Sequence, residues 1–271
     1  MNPYRLGVVP YLNAEPLVYH FLRHPHPEIT WTTAVPSRLI PMVLQGELDA
    51  ALVSSFACLE NADLAIVPGA GICTEGTADS IRLFCKVEPP KVRRLALDDS
   101  SRSGAALAQV LMAECFCTYP RYTRVPPHLK EMLAANDAAL LIGDPAMQAF
   151  YGEPARTWGL QVLDLGEVWH ALTNLPFVFG VWAARRDADL GPVPALLAEA
   201  REEARPHLNA IADAAAARLN LPRAVCRNYL HHVMRYDLGP REFEGLARFR
   251  ELCIRHRLLP PDAPALRFLG E

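Results

Sequence analysis

The sequence predicts an α/β protein of two lobes facing each other across a cleft, with a helical C-terminal region. Three observations predict it. Strand and helix patterns alternate through the first third; a second strand–helix series begins after a proline-rich break; and from Pro192 onward the pattern is helical. With 271 residues the chain can form two lobes and bury a sizeable core.

The first series reads as strand Tyr4 to Val9, helix Glu15 to Leu22, strand Ile29 to Thr33, helix Pro36 to Leu44 and strand Asp49 to Val53, with a further helix opening at Ser54-Ser55. Such alternation implies parallel strands with helical crossovers. Shorter strands follow near Ala65 to Val67 and Ser80 to Lys86, and Glu88-Pro89-Pro90-Lys91 reads as the first crossing between lobes. The second series has a strand at Arg94 to Leu97, a helix from Ser103 to Phe116, a strand near Tyr122, a helix from Pro127 to Ala135 and a strand at Ala138 to Ile142. The apolar run Leu175 to Ala184 contains Pro176 and Gly180 and is about half of a membrane span, so it reads as a central buried strand returning to the first lobe. Lobe one is therefore expected to hold residues 1–90 and 176–271, and lobe two residues 91–175. Pro222 and Pro240 stand where helices start, and no strand is expected after Pro192.

Composition narrows the function. Hydrophobic residues make up 51% and charged residues 21%, as in a folded globular chain, and a net charge of -3 offers no field for nucleic acid or an anionic membrane. No export signal is expected, since the chain enters a strand at once. The seven cysteines show no paired spacing and read as structural thiols, which fits a reducing cytoplasm.

Four strand-to-helix junctions carry candidate site residues. The first is Tyr11-Leu12-Asn13 before Pro16, which places an uncharged amide where open α/β sheets bind ligands. Ser54-Ser55 forms a second junction with the same chemistry. In Asp98-Asp99-Ser100-Ser101-Arg102-Ser103-Gly104, hydroxyls, backbone N–H groups and a guanidinium fork together suit a carboxylate, although Ser and Asp are also ordinary helix caps. In lobe two, Gly143 would let a ligand approach the backbone, and Asp144 is either a site residue or the cap before Pro145. Ser80 is a further candidate. An anionic small molecule is the expected ligand.

Several chemistries are not supported. No G-x-x-x-x-G-K-S/T or strand-following G-x-G-x-x-G is present, which argues against ATP and NAD. His20 and His24 have ligand spacing without a third ligand, and His231-His232 face different directions, so no metal is expected. No serine or cysteine triad and no G-x-S-x-G elbow can be picked out. The candidate residues are amides, hydroxyls and an arginine, which bind and orient but are poor bases at neutral pH. Either the protein only binds, or its reaction needs little side-chain acid–base chemistry.

Tyr11-Leu12-Asn13 with Pro16-Leu17, Asp99-Ser100-Ser101-Arg102-Ser103, Gly143-Asp144, and Glu167-Val168-Trp169 leading to Leu175-Pro176-Phe177-Val178-Phe179 give the chain a specific likeness. It resembles the chorismate dehydratases of the futalosine route to menaquinone. The resemblance implies a type II periplasmic-binding-protein-like fold and conversion of chorismate to 3-[(1-carboxyvinyl)oxy]benzoate with loss of water, without a cofactor. On that resemblance Asn13 and Ser80 are the expected catalytic residues. Tyr11, Ser54, Ser55, Ser101, Arg102, Ser103, Gly143 and Asp144 are expected to bind substrate, with its enolpyruvyl carboxylate as the base. The competing expectation is a non-enzymatic binding protein for a small carboxylate on the same fold.

Overall fold

Two sheets organise the chain in the computed structural model, which describes residues 3–152 and 157–270. The first sheet has the order β11-β4-β10-β3-β1-β2, from strands β1 (Tyr4–Val8), β2 (Ile29–Thr33), β3 (Ala50–Ser54), β4 (Leu64–Thr74), β10 (Phe177–Arg185) and β11 (Arg235–Asp237). The second has the order β7-β6-β8-β5-β9, from β5 (Ile81–Cys85), β6 (Arg94–Asp98), β7 (Arg121–Val125), β8 (Ala138–Ile142) and β9 (Gln161–Asp164). Parallel pairing joins β1 to β2 and β3, and β6 to β7 and β8, as expected for strands joined through helices. The returning strand β10 lies antiparallel between β3 and β4 and is buried along most of its length, which explains its unbroken apolar character.

The expected lobe limit at residue 90 is corrected by the sheet pairing. Ile81–Cys85 pairs antiparallel with β8 and β9 and so belongs to the second sheet. The crossing lies in the stretch after Thr74, while Pro89–Lys91 is a short helical turn between two strands of the second sheet. Prolines marked a turn but could not say which sheet lay on either side. The expectation of no strand after Pro192 is also corrected: Arg235–Asp237 pairs with the edge of β4. Three residues are too short to show alternation. The strand expected at Ala65 to Val67 is part of a much longer one, Leu64–Thr74, whose Pro68-Gly69 resembled a terminator.

A carboxylate holds the first crossing. Buried Asp164 accepts from the Thr77 hydroxyl at 3.0 Å, from the Ala78 and Asp79 amides at 2.9 and 2.7 Å, and from the Gly166 and Glu167 amides at 2.9 and 3.2 Å. It thus caps the helix Leu165–Thr173 while tying down the segment that leads to β5. Arg82 donates to the Asp79 carbonyl at 2.7 Å and lies over the Phe150 ring at 3.6 Å.

At the return crossing, Trp169, Phe177 and Phe249 pack edge to face, with centroids 4.8 to 6.0 Å apart. Phe249 lies on the C-terminal helix Pro240–Arg255, and its neighbour Gly245 permits close docking because a Cβ there would overlap the Pro176 carbonyl oxygen. One large apolar cluster runs through both lobes, and a smaller one lies under Phe84, Leu129 and Met132. No helix among the described residues is long and apolar enough to cross a membrane.

Candidate functional site

The strand ends of both sheets converge on a cleft. Its polar lining is Tyr11, Asn13, Ser54, Ser100, Ser101, Arg102 and Ser103, and its apolar walls include Ile72, Ile81, Ile142 and Phe179. Among the described lining residues there is no Asp, Glu, His, Lys or Cys.

Asn13 sits in a short helical turn, Leu12–Ala14, immediately before the helix Glu15–Arg23, where Pro16 occupies the first turn. Its Oδ1 is buried and has no hydrogen-bond partner among the described residues. Two residues before Asn13, the Tyr11 hydroxyl meets Ser100 Oγ of the second lobe at 3.3 Å, and Ser100 donates to Asp98 at 2.6 Å. Burial pushes the Asp98 carboxyl above its ordinary range despite the Ser100 bonds, and burial likewise raises the Tyr11 hydroxyl.

The two serine junctions meet directly. Ser54 ends β3, Ser103 opens the helix Ser103–Phe116, and their hydroxyls are 2.6 Å apart, with the Ser103 amide donating to Ser54 Oγ at 3.0 Å. Ser103 also donates to the Phe179 carbonyl at 2.9 Å. Ser55 is fully buried and donates to the Val178 carbonyl at 2.6 Å, behind the cleft surface. Ser101 Oγ accepts from the Ala105 amide at 3.2 Å and so caps that helix while lining the cleft. Arg102 lines the cleft with its guanidinium paired to Glu60 from the first lobe.

Gly143 and Asp144 differ from their expected roles. Gly143 lines the cleft at φ 61, but the space beside its Cα is taken by Tyr11, whose ring carbon would stand 3.1 Å from an added Cβ. Asp144 is not the cap of its helix; that position is Ile142. Its carboxylate reaches the first lobe, accepting from the Leu12 amide at 3.0 Å and facing Arg218 at 3.7 Å. Burial raises its pKa, opposed by the Leu12 bond and Arg218. Asp144 therefore holds the Tyr11–Asn13 turn in place.

Ser80 is buried beneath the cleft lining, with its hydroxyl accepting from Tyr229 at 2.8 Å. Tyr229 and Phe179 are the site residues that reading the sequence missed. Phe179 lay within a run read as a buried strand and as part of the family likeness, without a site role, and Tyr229 carries no local signal of any kind.

Among the described residues no group of three or more His, Cys, Asp or Glu side chains is placed to hold an ion. His20 contacts Glu203 and lies 5.0 Å, ring to ring, from His24.

The family described as menaquinone biosynthesis matches residues 4–255. The chain belongs to that family. Within it, a chorismate dehydratase of Thermus thermophilus is 36% identical over 267 residues, covering 93% of this chain and 95% of that protein. A chorismate dehydratase of Campylobacter jejuni is 27% identical over 182 residues, covering 64% of each. Solved structures show the same fold at low identity. A protein of Archaeoglobus fulgidus has a TM-score of 0.73 at 18% identity, covering 94% of this chain and 98% of its own. The alkanesulfonate-binding protein of Xanthomonas axonopodis has a TM-score of 0.71 at 19% identity, covering 96% of each chain. The two-lobed fold of this family member is thus periplasmic-binding-protein-like.

Proposed function

We propose that this chain is a chorismate dehydratase that removes water from chorismate to give 3-[(1-carboxyvinyl)oxy]benzoate, with the substrate supplying the base. The observation that carries the reading is the cleft lining of a menaquinone-family protein, which is rich in hydroxyls, with the amide of Asn13 and the guanidinium of Arg102, and among the described residues holds no carboxylate or imidazole. A base must then come from elsewhere, and the enolpyruvyl carboxylate of chorismate lies close to the ring proton to be removed.

In this mechanism the carboxylate takes the proton from the ring carbon bearing the ether. The electron pair of that C–H bond forms the new ring double bond as the neighbouring C–O bond breaks. The departing hydroxyl leaves with the proton as water, and aromatisation drives the step. The protein's part is orientation and stabilisation of shifting charge. Asn13 would orient the carboxylate or departing hydroxyl, Ser80 would act beside the reacting carbons, and Ser54, Ser101, Arg102 and Ser103 would hold the carboxylates. Ser55 and Asp144 would support these groups from behind the lining.

The test is incubation of purified protein with chorismate, without added metal or nucleotide, followed by chromatography with mass detection. Loss of one water is expected, and Asn13→Ala and Ser80→Ala should each slow turnover by about 100-fold or more. Unchanged chorismate alongside a ligand-induced rise in melting temperature would instead identify a binding protein.

A further inference from the structure

Tyr229 lies deep in the protein, fully buried, and its hydroxyl donates to Ser80 Oγ at 2.8 Å. A tyrosine hydroxyl has one hydrogen to give. Because that hydrogen goes to Ser80, Ser80 Oγ accepts from Tyr229 and its own hydrogen is turned away from the phenol.

The surrounding backbone is built to hold this arrangement. Tyr229 begins a π-helical segment, Tyr229–Val233, which buries Tyr229, Leu230 and Val233 and leaves His231 and His232 exposed. Ser80 follows Asp79, a buried residue at φ 59, across a tight turn in which the Ser80 amide donates to the Ala78 carbonyl at 2.6 Å. The Ser80 carbonyl accepts from Gly143 at 2.7 Å.

We infer that Tyr229 is a positioning residue for the dehydration: it sets the direction in which the Ser80 hydroxyl is offered to the substrate. This rests on the proposed reading that Ser80 acts on chorismate. Without the phenol hydroxyl the serine can rotate, so productive geometry is lost while the substrate is still bound.

The test is Tyr229→Phe, which keeps the ring packing, assayed beside wild type with chorismate. The expected result is a fall in kcat of about 10- to 100-fold, with KM changed by less than about 3-fold. Tyr229→Phe should add little on a Ser80→Ala background, because that change already removes the hydroxyl that Tyr229 holds. An active wild type matched in kcat by Tyr229→Phe, or effects that multiply fully in the double variant, would overturn the role of Tyr229 alone. A wild type that leaves chorismate intact would overturn the dehydratase reading and, with it, this role in the reaction.

Discussion

At Gly143 the left-handed φ of 61 and the Tyr11 ring pressed against the Cα act on the same atom. Gly143→Ala would introduce backbone strain of about 1–2 kcal/mol and push on a ring that lines the cleft. The expected outcome is a lower urea midpoint together with a higher KM for chorismate, read by equilibrium unfolding and steady-state assay. The glycine was legible in the sequence as a special backbone position, but its neighbour was not. Tyr11 and Gly143 are far apart in the chain, and only folding brings ring and backbone together. Asp144 teaches the same lesson, since its place beside a proline suggests a cap while its carboxylate reaches Leu12 in the other lobe.

Among the elements, the segment between β4 and β5 depends on a single side chain. Asp164 accepts five hydrogen bonds, four of them from backbone amides at the crossing and at the start of the helix Leu165–Thr173. Asp164→Ala leaves buried donors unpaired and removes a helix cap, which should cost about 3 kcal/mol or more. Urea unfolding should show this loss. Activity should fall as well, because the same segment delivers Ser80. The strands and helices flanking this crossing were legible from their patterns, but the crossing itself was misplaced. Whether Ile81–Cys85 joins one sheet or the other depends on pairing with β8 and β9, which its own apolar run cannot specify.

Across the whole molecule, ionisable groups divide by location. Burial works against ionisation of Asp49, but its bonds from Arg5, at 2.7 to 3.2 Å, prevail and lower its pKa. Glu75, Glu114 and Asp137 are lowered in the same way by arginine partners, by His256 and by the Arg93 and Arg94 amides. A carboxylate with a depressed folded pKa stabilises the fold above its unfolded value and loses that contribution as pH falls through the folded one. Stability should therefore decline on acidification below about pH 4, and Asp49→Asn should flatten that decline in urea midpoints measured across a pH series. Buried Asp98 and Asp144 have the opposite sign, since their raised values favour the fold when protonated and that contribution is lost as pH rises through them. Thiols divide similarly. Burial holds the Cys58 and Cys85 thiols up at about 12 and raises Cys73, Cys226 and Cys253; it also raises Cys115, but Cys115 and Cys117 are exposed to solvent while the other five are buried. A thiol reagent should label Cys115 and Cys117 quickly in the native protein and the remaining five only after unfolding, as mass spectrometry of peptides would show.

The sequence by itself determined the α/β class, the two series of strands and helices, and the junctions carrying Asn13, Ser54 and Ser103. These depend on periodicity and turn chemistry over a few neighbouring residues, which a single chain displays directly. Tertiary structure alone decided that Ser54 meets Ser103, that Arg102 pairs with Glu60, that Ser55 lies behind the lining, and that Tyr229 reaches Ser80. Each of these contacts joins residues from distant parts of the chain, where side-chain direction and sheet pairing, rather than local propensity, set the partner.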